Sequence, residues 1–439
     1  MKATEVNPDQ SGRPAGVNGW YVVIVLALGY AANFLDRQVI NILGQSIKEE
    51  MHISDAQLGM LTGTAFGIFY SLLGLPIARF ADRVHRVNLV TAALVVWSGF
   101  TAVCGFTHGY LQLFAARLGV GVGEAGGTPP SKSIISDYIQ PAKRTVAFSL
   151  FNLGVPIGSF LGFLLGGYVN DWFGWRIAFM VAALPGLLVA VLVKFTIPEP
   201  VRGATEDVGK DAAGMPPLRA TLQQLFGMPS YLALIVGSTF GVFIIYVTGA
   251  WLPPMFIRVH GLSAHEIGGW LALSAGLGGG LGAMGGGAMA SALRKRYRHG
   301  DLWLILLATA MICPTLLVTA LSDSLTLALW AMFLLYFFTY VWMGPTSARI
   351  QQIVPIRSRA LAVGFMIFQS SVTAPAFGPP LVGLLSDVLA PTQGVNSLRT
   401  ALAVASVAGL FGALMHFIAI RKIDRDLRRG NEPDLPMEA

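Results

Sequence analysis

Four charged side chains stand where charge is costly. Asp36 and Arg37 follow the uncharged run WYVVIVLALGYAA, and Arg117 and Glu124 lie within RLGVGVGEAGG. At mid-bilayer an unpaired charge costs roughly 2.5–3.5 kcal/mol on insertion scales, so such residues turn to a partner or to water. Neighbours on a helix point about 100° apart, so Asp36 and Arg37 cannot simply neutralise each other. Arg117 and Glu124 are two turns apart and share one helix face, with Gly121 between them and Thr128 beyond. Cross-pairing is therefore expected: Asp36 with Arg117 and Arg37 with Glu124, or exchange among the four as the protein changes state. A carboxylate held this way can take a proton and release its arginine, which couples protonation to ligand binding. The competing reading is a static network that fixes helix packing. Asn33, Arg37 and Asn41 recur every four residues and extend the polar stripe along the same helix.

These residues need a scaffold that holds them inside a membrane. Hydrophobic residues make up 54% of the 439-residue chain and charged residues 12%, against about 25% charged in soluble domains, and the mean hydropathy is +0.63. Twelve apolar segments are read near 20–44, 57–79, 88–107, 111–136, 145–169, 175–196, 231–256, 266–290, 301–321, 324–349, 360–386 and 398–420. Most approach the roughly 20 residues that cross a hydrocarbon core, and a helix is the element that satisfies its own backbone there. The expected fold is an all-α polytopic membrane protein.

The net charge of +7 does not point to nucleic acid, because the basic residues sit in short loops on alternate sides of the segments. One side carries 22 Lys and Arg; the other carries only Lys48, Arg176, Arg258 and Arg399. This asymmetry predicts a multi-pass protein of the cell membrane (the inner membrane in a bacterium) with both termini cytoplasmic. The polar first 19 residues precede a run too long for a signal-peptide core, so an uncleaved N-terminus is expected. Cys104 and Cys313 lie in separate apolar runs and imply neither a disulfide nor a metal site. No cofactor is expected.

The chain divides into a tail (1–19), a six-helix bundle (20–197), a cytoplasmic linker (198–229), a second six-helix bundle (230–420) and a tail (421–439). The linker holds RGATEDVGKDAAGMPP and reads as flexible. The halves echo each other: PAKRTVAF enters helix 5 as PIRSRALA enters helix 11, and GGYVND closes helix 5 as VGLLSD closes helix 11. Two parallel six-helix repeats about a central site resemble the major facilitator superfamily, whose halves rock around a midplane cavity.

ARFADRVHR, residues 78–86, is similar to that superfamily's G-x-x-x-D-R-x-G-R signature, with Ala78 and His85 at the glycine positions. The resemblance gives Asp82, Arg83 and Arg86 a role in a cytoplasmic gate, with Asp137 and Arg144 as partners; plain positive-inside topology is the alternative. The second-half loop ASALRKRYRHG lacks the aspartate, so such a gate is asymmetric. Gly121–Gly126 matches G-x-G-x-x-G, but it lies in a span and not after a strand, so helix packing explains it. The glycine run of helix 8, GLGGGLGAMGGGAMA, reads as packing surface and hinge. Helix 5, GVPIGSFLGFLLGG, resembles the glycine/proline-rich antiporter signature without its central Gly-Pro order; a kinked packing helix fits it equally.

The second half offers aromatic and neutral polar groups. Tyr246, Tyr336, Tyr340, Phe368 and Gln369 are candidate substrate contacts, beside Trp251, Phe337, Trp342, Phe365 and Ser370. A cavity charged on one wall and aromatic on the other suits an amphipathic solute.

NFLDR, RLGVGVGEA, IISDYIQPAKR, LGVPIGSFLGFLLGG and IPEP, spread in order over about residues 30–200, resemble the Spinster family of that superfamily. The resemblance implies a twelve-helix proton-linked carrier of lysolipids or sphingolipids. Asp36 is then the proton-sensitive carboxylate, Arg37 the gate or head-group contact, and Glu124 its helix-4 partner. Organic-anion symporters share N-x-x-D-R and the G-x-G-E-A-like stretch, so an organic anion or a drug is the alternative cargo. An enzyme is disfavoured, since the seven histidines are scattered over loops and span ends. Nothing resembles the repeated filter of a channel. The expected partners are the solute, protons and membrane lipid, with the chain working as a monomer.

Overall fold

The computed structural model describes residues 17–81, 83–202, 218–355 and 358–430. Among the described residues there is no strand. The described residues form twelve rods: α1 Gly19–Met51, α2 55–81, α3 Arg86–Cys104, α4 110–138, α5 Pro141–Phe173, α6 Trp175–Thr196, α7 Pro229–His260, α8 Ala264–Arg296, α9 Gly300–Leu321, α10 Leu325–Ile353, α11 Arg359–Gln393 and α12 Ser397–Gly430. Among the described residues ten stretches are long and apolar enough to cross a membrane; one of them, Leu361–Arg428, covers nearly all of both α11 and α12. The remaining rod, α4, is interrupted at Gly126–Gly127 and carries Arg117, Glu124 and Lys132.

The internal repeat is visible in local chemistry. Helices α2 and α8 each open with a capping box, Ser54 with Gln57 and Ser263 with Glu266, which satisfies the first free amides. Each then contains one π-helical turn, Met60–Thr64 and Ser274–Gly278, a local widening common at functional sites. Gly154, Gly158, Gly162 and Gly166 of α5 lie on α1, and a Cβ at Gly158 would stand 2.2 Å from the Ala31 carbonyl oxygen. Small residues allow this approach where lipid supplies no hydrophobic drive between helices. In α8, Gly282 and Gly286 pack on the α10 backbone in the same way, while Gly280, Gly285 and Gly287 face open space. Gly121 and Gly123 of α4 pack against Phe66 and Trp97, which accounts for the accidental phosphate-loop pattern.

Two boundaries differ from the sequence expectation. The 198–229 stretch is not all flexible: Leu218–Phe226 is a helix, with Thr221 and Leu225 buried. The tail expected from 421 instead continues α12 to Gly430. Its Asp426 is buried and accepts from the Ser230 amide at 2.8 Å, so it caps α7. A charge that satisfies a helix start holds the segment in place.

Arg349 of α10 and Asp301 of α9 form a buried pair, both 5% exposed, with Nε donating to Oδ2 at 2.8 Å. Removing one member strands the other. Arg349→Ala is expected to cost about 3–5 kcal/mol, and a Met/Leu replacement of both members much less. Thermal unfolding of the two variants in detergent checks this.

Candidate functional site: a charged cavity between the bundles

The structure brings the four intramembrane charges together as two crossed pairs. Arg37 Nε donates to Glu124 Oε2 at 2.7 Å. Arg117 lies 3.5 Å from Asp36 Oδ2, and the Thr101 hydroxyl donates to Oδ1 at 2.8 Å. Asp36, Arg117 and Glu124 are each 1% exposed, whereas Arg37 is only half-buried. Three rings surround the Arg37 guanidinium carbon, Phe66 at 4.5 Å, Tyr70 at 4.6 Å and Phe34 at 5.0 Å from their centroids. Such faces attract a cation electrostatically, so the rings favour the Arg37 charge beside its carboxylate. Glu124 Oε1 and Arg117 Nε are buried without a hydrogen-bond partner. Buried polar groups without a partner are rare in folded proteins and call for a reason.

Arg37 opens onto a cavity of about 390 Å³ between the bundles. Its first-bundle wall includes Tyr30, Phe34, Gln38, Asn41, Phe66 and Arg117, and its second-bundle wall Tyr246, Tyr340, Trp342, Met366 and Ser370. Asn33 and Thr128 are absent from it; they line a separate small pocket inside the first bundle. The reason is helical phase. At about 100° per residue, a four-residue step drifts by roughly 40°, so Asn33 trails Asn41 by ~80° and the stripe turns inward. Tyr336 is likewise buried within its own bundle, one step behind Tyr340. Phe368 and Gln369 fall outside the lining formed by Ile367, Ser370 and Ser371, and Gln369 instead accepts from Thr239 at 2.7 Å.

Sequence reasoning missed the aromatic cage and Thr101. Phe66 and Tyr70, one turn apart in a helix without mid-span charge, were a readable pair, but only the position of Arg37 gives them meaning.

The cavity is closed at the end of the molecule remote from the described chain ends. There Gly59, Gly63 and Gly67 of α2 lie against α11, with the Gly63 Cβ position 2.3 Å from the Pro375 carbonyl oxygen. Asp55 receives both outer nitrogens of Arg258 at 2.8 Å, the Ser386 hydroxyl at 2.7 Å, and Lys48. Asp387 accepts from the Asp55 and Ala56 amides at 2.9 and 2.8 Å. Asp171, its counterpart in the first half, accepts from the His265 amide at 3.0 Å. Each aspartate at the close of α11 or α5 thus caps the start of a helix in the opposite bundle. The cavity faces the end that bears residues 17 and 430, the described chain ends.

At that terminal end Arg86 is buried and bonded within its own bundle. It reaches Asp137 at 2.5 Å, Ser133 at 2.8 Å, Glu199 at 2.7 Å and the Pro200 carbonyl at 3.0 Å. Burial acts to raise the Glu199 carboxyl, but hydrogen bonds from the Val87 amide and Arg86 outweigh it and hold it below the usual range. Arg83 is exposed, and Arg144 Nε donates to the Ile139 carbonyl. Asp82 lies outside the described residues.

The sequence profile of the Major Facilitator Superfamily matches residues 26–366. The chain belongs to that superfamily. An MFS-type efflux pump of Mycolicibacterium smegmatis is 28% identical over 425 residues, 96% of this chain and 97% of the relative. A sphingosine-1-phosphate transporter of Danio rerio is 26% identical over 395 residues, 85% of this chain and 77% of the relative. The crystal structure of a bacterial homolog of the human lysosomal transporter Spinster, inward-facing and unoccupied, superposes with a TM-score of 0.86 at 28% identity, over 94% of this chain and 99% of that one. This major facilitator protein is therefore a multi-pass membrane transporter and not an enzyme, and its likeness to Spinster extends beyond residues 30–200 to nearly the whole chain.

Proposed function

We propose that this protein is a proton-coupled secondary transporter that moves a lysolipid- or sphingolipid-like solute by alternating access. The observation that carries the reading is Arg37: it faces a largely apolar cavity, caged by aromatic rings and paired from behind with Glu124. An anionic head group can take the place of Glu124 at Arg37 once that carboxylate has accepted a proton, while the aliphatic part lies along Phe66, Tyr246 and Met366. Asp36 and Arg117 stand behind as the second pair, so a proton entering the network frees a cation in either of two places. The basic loops argue for termini on the cytoplasmic side, which makes the present state inward-facing, with the α2–α11 and α5–α8 seams as its outer closure. Asp82, Arg83, Arg86, Asp137 and Arg144 then form the inner gate of the opposite state.

The similarity to an efflux pump favours a second reading, proton-linked export of an organic anion or drug. Uptake into proteoliposomes with and without a pH gradient separates the two, with lysolipids, sugar acids and cationic drugs presented side by side. Lysolipid is expected to accumulate at least about tenfold more with the gradient, a difference of ~1.4 kcal/mol. Transport of sugar acids or drugs alone contradicts the lysolipid reading, and a chemically altered solute contradicts transport itself.

A further inference from the structure

On the surface of the second bundle a groove of about 530 Å³ runs between α8 and α9 at the terminal end. Met289 and Leu293 of α8 form one wall, and Trp303 and Leu307 of α9 the other. Met289, Trp303 and Leu307 are 44%, 48% and 54% exposed, a strip that meets hydrocarbon in a spanning protein. The groove ends where the last turn of α8 presents Arg294, Lys295 and Arg296, all exposed. Arg296 lies 5.6 Å over the ring of Tyr297, which itself lines the groove. Arg298 also lines it, and its guanidinium is held by Asp424 at 2.8 Å together with His299. Asp424 holds Arg298, and Arg294, Lys295 and Arg296 follow Leu293 of the groove wall, so positive charge gathers at the end of the apolar slot.

We propose that this groove holds an anionic phospholipid of the surrounding leaflet. The positive field of Arg294, Lys295 and Arg296 holds the phosphate at the groove's end, and an acyl chain lies along Trp303 and Leu307. Charge complementarity names the head group. The position between two spanning helices names the source, because a soluble anion has no use for the slot and basic pockets between such helices suit acidic lipid heads. Trp303, in the first turn of α9, belongs at the interface where its ring is at home. The site is separate from the central cavity and independent of which solute is carried.

Native mass spectrometry of the full chain, with phosphatidylglycerol and phosphatidylcholine in competition, tests the proposal. The protein is expected to retain one phosphatidylglycerol at least about fivefold in preference to phosphatidylcholine, and the preference should weaken in high salt. The R294Q/K295Q/R296Q variant is expected to lose that preference, whereas K143Q/R219Q, which removes two basic groups elsewhere on the surface, keeps it. Should the triple variant not fold, Trp303→Ala reads the same site by shortening the retention of both lipids. Equal binding of the two lipids, full preference in the triple variant, or displacement by soluble glycerol phosphate would each overturn the proposal.

Discussion

Glu124→Gln is expected to abolish pH-driven accumulation, lowering it at least about a hundredfold, while solute exchange across the membrane persists. Glutamine fixes the neutral form, so Arg37 stays available to an anionic head group at every pH but no proton can be carried. Asp36→Asn is expected to give the same split through Arg117. The stakes are large because removing one member of a buried pair leaves the other uncompensated, at about 3–5 kcal/mol. A static network makes a different forecast. Replacing both Arg37 and Glu124 by Met and Leu leaves no stranded charge and is expected to fold normally. If packing were the whole purpose, that double variant would transport; if the pair is the switch, it is folded and inactive. Uptake and thermal unfolding measured on the same preparations distinguish the two.

Gly63→Leu is expected to hold the protein with its far end open. A Cβ at this position falls 2.3 Å from the Pro375 carbonyl oxygen, and that atom is backbone with nowhere to yield. The seam between α2 and α11 cannot then close, and transport is expected to drop at least about tenfold. Overpacking of a close contact costs ~1–3 kcal/mol, enough to invert the balance between two states of similar energy. Arg258→Ala, which removes the bidentate partner of Asp55, pushes in the same direction more weakly. Labelling of Gln38→Cys in the cavity reads the outcome, since the native Cys104 and Cys313 are buried. An impermeant maleimide applied from the far side is expected to reach the new thiol faster in the Gly63→Leu background; unchanged labelling and transport would show that the seam does not govern closure.

The parts of this molecule legible in its sequence are those where a single physical constraint dominates. Hydrocarbon demands helices, so most of the segments follow from apolar length; α4, interrupted and charged, does not. Charge inside hydrocarbon demands partners, and with Arg117 and Glu124 the only other candidates deep in the first half, the crossed pairing follows from geometry. Less legible was anything that depends on exact helical phase. Asn33 and Asn41 belong to one four-residue series, yet the drift of about 40° per step sends one into the bundle and the other into the cavity. The Asp55–Arg258–Asp387 closure was unreadable because its members are 332 positions apart at the extremes and look like ordinary loop charges. The Gly59, Gly63 and Gly67 series was not singled out, and nothing in the sequence says that its partner is the proline-rich stretch of α11. The helix at Leu218–Phe226 was hidden by its polar surroundings, although its Leu, Arg, Ala and Gln are good helix formers; Leu225 packs into the core of the second bundle.

The central claim is that protons and solute move together through the Asp36–Arg117 and Arg37–Glu124 network. Its most direct test is a pH-sensitive dye sealed inside proteoliposomes, with a lysolipid added outside in the absence of any imposed gradient. The native protein is expected to shift the internal pH as solute enters, and Glu124→Gln to exchange solute with no shift. Solute entry through the native protein without proton movement would contradict the account.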